Sequence, residues 1–270
     1  MSPTALATPF LAAASGDGGG YHAPEPQEFY QPLIGHGDWA LTRPIVVMAI
    51  SVGLIAWFLL ATTKRASVVP SRGQWVTEAL HTFVRNSLAR DIIGSKEFLR
   101  FVPALFTLFS ILLVNNLFGI IPPIQFPTMG RIGFPIALTL VVYVVYHTVG
   151  IRKKGFRNYI GGMIPKGLPG PIYILIVPLE LLTQFITQPL TLSLRLFGNM
   201  FAGHMLLLLF ITGGQYMVIH GSIGLKFAGA GSFVMAFVLM IFEGLIELLQ
   251  AYIFTLLAAT YIAAALADEH

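Results

Sequence analysis

No charged residue occurs from Pro44 to Thr63, nor from Phe101 to Gly130, and Ile132 to Ile151 is interrupted only by His147. A bilayer core about 30 Å thick is crossed by about 20 apolar residues in a helix. These stretches therefore predict three membrane spans. Pro44 suits a first helical turn, and Pro122–Pro123 should end the second span. Backbone groups inside lipid must pair within their own segment, so helices are the expected elements.

Between the first two spans the pattern changes. Val76, Leu80, Phe83, Val84 and Leu88 recur at helical spacing among Arg72, Arg85, Arg90 and Lys96. Such an amphipathic helix is expected to lie on the membrane surface. Pro171 to Thr212 is again apolar, apart from Glu180, Arg195 and His204, and so is Ser232 to Ala267, apart from Glu243 and Glu247. As helices these would run about 60 Å and about 50 Å, too long to stand upright in a bilayer. Neither has a polar turn at its middle. Two long, strongly tilted helices are expected, bent at Pro178 and Pro189 and joined near Gly213–Gly231. The fold class is all-α integral membrane, with five crossing helices and one surface helix. The divisions are a tail at 1–43, spans at 44–63 and 101–151 (a pair), a surface helix at 71–99, and a long hairpin at 171–267.

Composition fits a membrane protein. Only 10% of residues are charged, against about 25% in soluble domains. Of sixteen Lys and Arg, seven lie between Lys64 and Arg100 and five between Arg152 and Lys166. Basic residues in loops beside apolar spans mark the cytoplasmic face rather than a nucleic-acid site. The tail carries Asp17, Glu25, Glu28 and Asp38. Its residues 5–14 are apolar, but no basic residue precedes them as in a signal peptide. A flexible acidic tail outside and a cytoplasmic C-terminus are expected. Cysteine is absent, the seven His are scattered, and neither H-E-x-x-H nor a phosphate-cradling G-x-x-x-x-G-K-[ST] loop occurs. No metal, cofactor or ATP site is expected. Nor is there an internal repeat of the kind that marks many secondary transporters.

The ionisable groups inside the long helices carry the chemistry. Each is a functional candidate by default, against the alternative of a buried structural ion pair. Gln188 and Asn199 lie seven residues before and four after Arg195, on its helical face. On the last helix Glu243, Glu247 and Gln250 follow i, i+4, i+7 spacing. His204 faces away from Arg195 and could meet Glu243 or Glu247 across the hairpin, forming a titratable relay. Arginine keeps its charge where lysine can lose it. It would block cation leakage and hold a partner's carboxylate ionised.

Leu194-Arg195-Leu196-Phe197-Gly198-Asn199-Met200-Phe201-Ala202-Gly203-His204 closely resembles the signature of the a subunit of F-type ATP synthase. Asn115-Asn116-Leu117-Phe118-Gly119-Ile120-Ile121-Pro122 and Leu249-Gln250-Ala251-Tyr252-Ile253-Phe254 resemble two further family stretches. The order and spacing match across roughly residues 30–268. The resemblance implies a stator subunit of an inner-membrane complex, packed against a ring of c subunits. It also implies peripheral-stalk b subunits as partners, surrounding lipid, and a soluble catalytic sector engaged indirectly. Two offset half-channels would serve the ring carboxylates, separated by Arg195. Asn199, His204, Glu243 and Gln250 would line the path, with His204 and Glu243 a reversed form of a family pair. Glu180 resembles a family acid and suits the cytoplasmic half-channel. Glu247 has no family role to carry over, although helix geometry alone puts it in the path.

Overall fold

The computed structural model describes residues 21, 23–25, 32–34, 41–64, 67–121, 128–162 and 169–267. Most of the expected tail and the Pro122–Pro123 stop lie outside the described residues. Among those described, five helices are long and apolar enough to cross a membrane, as the hydropathy pattern predicts. The fold is all-α apart from a short antiparallel pairing of Pro32–Ile34 with Leu41–Thr42.

The first span, α1 (Arg43–Thr63), has Pro44 in its opening turn, where a missing N–H does no harm. It is the least buried of the five. Ser51 anchors it, because Asn115 Nδ2 on the next span donates to Ser51 Oγ at 2.9 Å. Small polar pairs of this kind hold membrane helices together where lipid supplies no hydrophobic drive.

The amphipathic segment forms α2 (Arg72–Phe83), a run of wide π turns (Val84–Arg90) and the short α3 (Asp91–Ile93). It stops short of residue 99 because Gly94 turns the chain at φ 91°, a conformation that favours glycine. Nor does it lie only on a surface. Val84, Leu88 and Ala89 are fully buried, and Phe83 contacts Phe109 and Tyr252.

The second and third spans are α4 (Val102–Ile120) and α5 (Gly133–Lys154). Arg152, Lys153 and Lys154 occupy the last turn of α5, where cations suit the helix dipole. Within the expected basic loop, residues Phe156–Gly162 form a further short helix, α6. It folds Tyr159 so closely onto Gly150 that any Cβ there would collide with the ring.

The fourth apolar helix runs without a break over Ile172–His220. It consists of α7 (Gly170–Leu182), wide turns at Thr183–Thr187, and α8 (Gln188–His220). The wide turns lie between Pro178 and Pro189, and Gln188 N–H reaches five residues back to Thr183 O. Such a bulge accommodates proline's missing donor. The fifth helix, α9, covers Ile223–Leu266. The link is therefore Gly221–Ser222 rather than the whole of Gly213–Gly231. Of the glycines in that range, Gly214 and Gly229 sit inside the helices and let the backbones meet. A Cβ on Gly229 would stand 2.8 Å from Gly214 O, and Ser232 Oγ donates to Phe210 O at 2.7 Å. At 49 and 44 residues the two helices run about 74 and about 66 Å. Small residues of α9, including Ala251, Ala258 and Ala259, bury it against the other spans. Lys153 Nζ closes its end by donating to Leu266 O at 2.8 Å.

Candidate functional site

Arg195 sits well inside α8 and is half-buried. Among the described residues no hydrogen bond or ion pair engages its side chain; the only two ion pairs join Glu97 to Arg100 and to Lys153. Its charge is within electrostatic range of the Tyr261 hydroxyl on α9. A half-buried guanidinium with no acid paired to it among the described residues differs from a structural ion pair. It remains able to attract a carboxylate from outside the chain.

On the hairpin-turn side of Arg195 a polar column runs between α4, α8 and α9, buried from Gln250 to Glu243 and open at Asn199, which is exposed. Asn199, one turn beyond Arg195, donates from Nδ2 to Gln250 Oε1 at 3.1 Å, which joins the two polar tracks read from the sequence. Farther along, Glu243 packs its carboxylate against Gly203. A Cβ at 203 would stand 2.8 Å from Glu243 Oε1. That brings Glu243 beside the residue preceding His204, with His204 and Glu243 both buried. Glu247 is buried against Gly119 and Met200. Asn116 Nδ2 donates to Glu247 O at 2.9 Å.

Several atoms of this column are buried without a protein partner among the described residues: Glu243 Oε1, both oxygens of Glu247, Asn116 Oδ1 and Gln250 Nε2. A packed interior rarely tolerates this many. Together they provide hydrogen-bonding capacity along a line between Glu243 and Gln250, which are about 10 Å apart along the helix.

On the other side of Arg195, toward the basic loops, Glu180 and Gln188 line one cavity of about 280 Å³. Gln184, Tyr146, Tyr159, Tyr261 and Lys154 also contribute to its wall. Glu180 Oε1 accepts from Gln184 Nε2 at 3.4 Å, along the same helix. The Tyr159 hydroxyl shares a hydrogen bond of 2.9 Å with His147 Nδ1, and His147 stacks on Phe185. Burial, helped by nearby Tyr143, pushes the Tyr159 hydroxyl up to about 12, so it stays neutral at physiological pH.

Arg195 thus has polar groups on both sides along its helix. Asn199, Gln250, Glu243, Glu247 and His204 lie toward the turn, and Gln188 and Glu180 lie toward the basic loops. Asn116, Gly119, Gly203, Gln184 and Tyr159 also shape the site, although sequence reasoning did not single out their roles. Asn116 and the two glycines fall inside the motif stretches, which was the available signal.

The family model described as ATP synthase A chain matches residues 45–263. A curated relative named ATP synthase subunit a, from a Nocardioides species, is 42% identical, covering 94% of this chain and 96% of its own length. One of the same name from Pseudarthrobacter chlorophenolicus is 38% identical, covering 96% and 99%. Another from Streptomyces lividans is 36% identical, covering 94% and 91%.

Proposed function

This chain belongs to the ATP synthase A chain family, and on that premise we propose that it is the stator in which two offset half-channels carry protons to and from a rotating ring of carboxylates. It is a multi-pass, non-catalytic membrane subunit of the ATP synthase complex. Arg195 separates the two half-channels. The observation that carries this reading is the half-buried arginine, without a carboxylate of its own chain among the described residues, standing between two polar regions.

One half-channel enters past His204 and Glu243, and reaches the ring at the level of Gln250 and Asn199. The other leaves through the cavity of Gln188, Gln184 and Glu180. A proton from the first neutralises a ring carboxylate, which can then enter lipid. After rotation the carboxylate gives its proton to the second. The permanent charge of Arg195 favours the ionised carboxylate facing it and repels a proton that would pass directly between the half-channels. The c-subunit ring is the direct partner. Peripheral-stalk b subunits hold the chain fixed, and the soluble catalytic sector is coupled through the complex. The basic loops orient the chain in the inner membrane with its N-terminus outside and its C-terminus in the cytoplasm.

The test is ATP-driven proton pumping in inverted vesicles carrying the assembled complex, wild type against Arg195→Ala. Pumping should be lost while ATP hydrolysis by the detached soluble sector persists. Normal pumping by the variant would make the arginine structural and overturn the reading.

A further inference from the structure

Glu247 is 3% exposed, more enclosed than Glu243 at 7%. Its carboxylate points from α9 toward α4 and α8, where Gly119 leaves room for it. A Cβ at 119 would stand 2.9 Å from Glu247 Oε1 and 3.3 Å from the terminal methyl of Met200. Asn116, three residues before that glycine, is fixed by its Nδ2 bond to Glu247 O. Its Oδ1 is left buried without a protein partner among the described residues, as are both Glu247 oxygens. Packing alone does not account for this arrangement. An apolar side chain of similar volume would fill the same space without removing a carboxyl group from water.

Resting on the proton-path reading above, we propose that Glu247 is a proton-holding station in its own right, between Glu243 and Gln250, so that the buried half-channel has two carboxyl stations in series. A proton leaves a Glu243 oxygen, crosses by one water and binds a Glu247 oxygen. Glu243 is left as a carboxylate and is recharged from the His204 side. Asn116 Oδ1 adds an acceptor on the facing helix for the O–H so formed. The spacing suits a single water, because residues one helical turn apart have Cβ atoms about 5–6 Å apart. The titratable groups facing this stretch are Glu243 on α9 itself and His204 on α8, and Arg195 lies five residues before Met200 on α8. The α4 helix carries none, offering only an amide and a glycine here. Tyr146 of α5 meets α9 at Tyr261, about four turns away, and Tyr143 and His147 pack on Tyr146.

The test measures passive proton conductance against pH in vesicles holding the complete membrane sector, stripped of the soluble sector. It compares wild type, Glu247→Gln and Glu247→Asp, with Arg195→Ala measured in parallel. Glu247→Gln keeps size and polarity but cannot titrate. It should lower conductance roughly tenfold or more and remove one step from the pH profile. Glu247→Asp should retain that step at reduced rate. Wild-type conductance and profile in Glu247→Gln would overturn the inference. If Glu247→Gln does not assemble, an assembled Glu247→Asp complex lacking the step would overturn it equally. These outcomes are separable from failure of the underlying reading, which rests on the ATP-driven pumping of Arg195→Ala in vesicles that retain the soluble sector.

Discussion

Replacing Gly203 by alanine adds one methyl group to α8 at the point where the Glu243 carboxylate lies. The new Cβ would stand 2.8 Å from Glu243 Oε1, 3.1 Å from its carboxyl carbon and 3.3 Å from Cγ. Ordinary contact begins at 3.4 Å, so Oε1 must retreat by about 0.6 Å. All three atoms belong to a flexible side chain rather than to backbone, so the helices need not part. Overpacking of this kind costs about 1–3 kcal/mol, partly offset because alanine favours a helix by up to about 1 kcal/mol over glycine. The complex should therefore assemble. Function is more exposed than stability, since a displacement of about 1 Å can cost about a hundredfold in a positioned transfer. A shift of about 0.6 Å predicts roughly a tenfold loss of ATP-driven pumping on the same scale. The assay is acidification of inverted vesicles, normalised to the amount of assembled complex. Gly231→Ala is the control, because nothing lies within 4 Å of its added Cβ, and it should pump within about twofold of wild type. Gly203→Ala pumping at the control rate would refute the placement of Glu243 on the path.

Asn199→Ala and Gln250→Ala should be coupled, because their side chains share one hydrogen bond across the hairpin. A double-mutant cycle on pumping rate should give about 0.5–1.5 kcal/mol of interaction, and strict additivity would count against the contact. Tyr159 closes the wall of the Glu180 cavity against Gly150. Tyr159→Phe should leave thiol labelling of a Gln188→Cys probe within about twofold, whereas Tyr159→Ala should speed it several-fold, since deleting a buried aromatic leaves a cavity. Equal labelling in both would remove Tyr159 from that wall.

The spans were legible because lipid imposes one rule on every residue they contain, and an uncharged run of about 20 residues satisfies it. The Gln188, Arg195, Asn199 face was legible too, because positions along one helix follow from its rise and turn alone. The meeting of Asn199 with Gln250 was not. It depends on the register between two helices, which is set by the turn at Gly221–Ser222 and the backbone approach of Gly214 to Gly229. Four glycines between Gly213 and Gly231 other than Gly221 and Gly224 read equally well as loop residues, and each choice of turn implies a different register. The roles of Gly119 and Gly203 were hidden for a related reason. A glycine that makes room for a carboxylate on another helix has no signature in its own neighbourhood beyond the motif stretch that contains it. The end of the amphipathic helix was displaced by Gly94, whose positive φ outweighs the helical spacing around it.

The wide turns at Thr183–Thr187 also have a mechanical meaning. A long helix resists bending as an elastic rod, and its stiffness depends on an unbroken ladder of bonds four residues apart. Where Gln188 reaches back five residues to Thr183, that ladder is loosest. Between this point and Gly221, α8 is braced along its length by α9. A sideways load on the hairpin is therefore expressed as flexure between Glu180 and Gln188, not at Arg195, seven residues farther on. The arginine rides on the rigid part of a strut, and the cavity wall forms its compliant end.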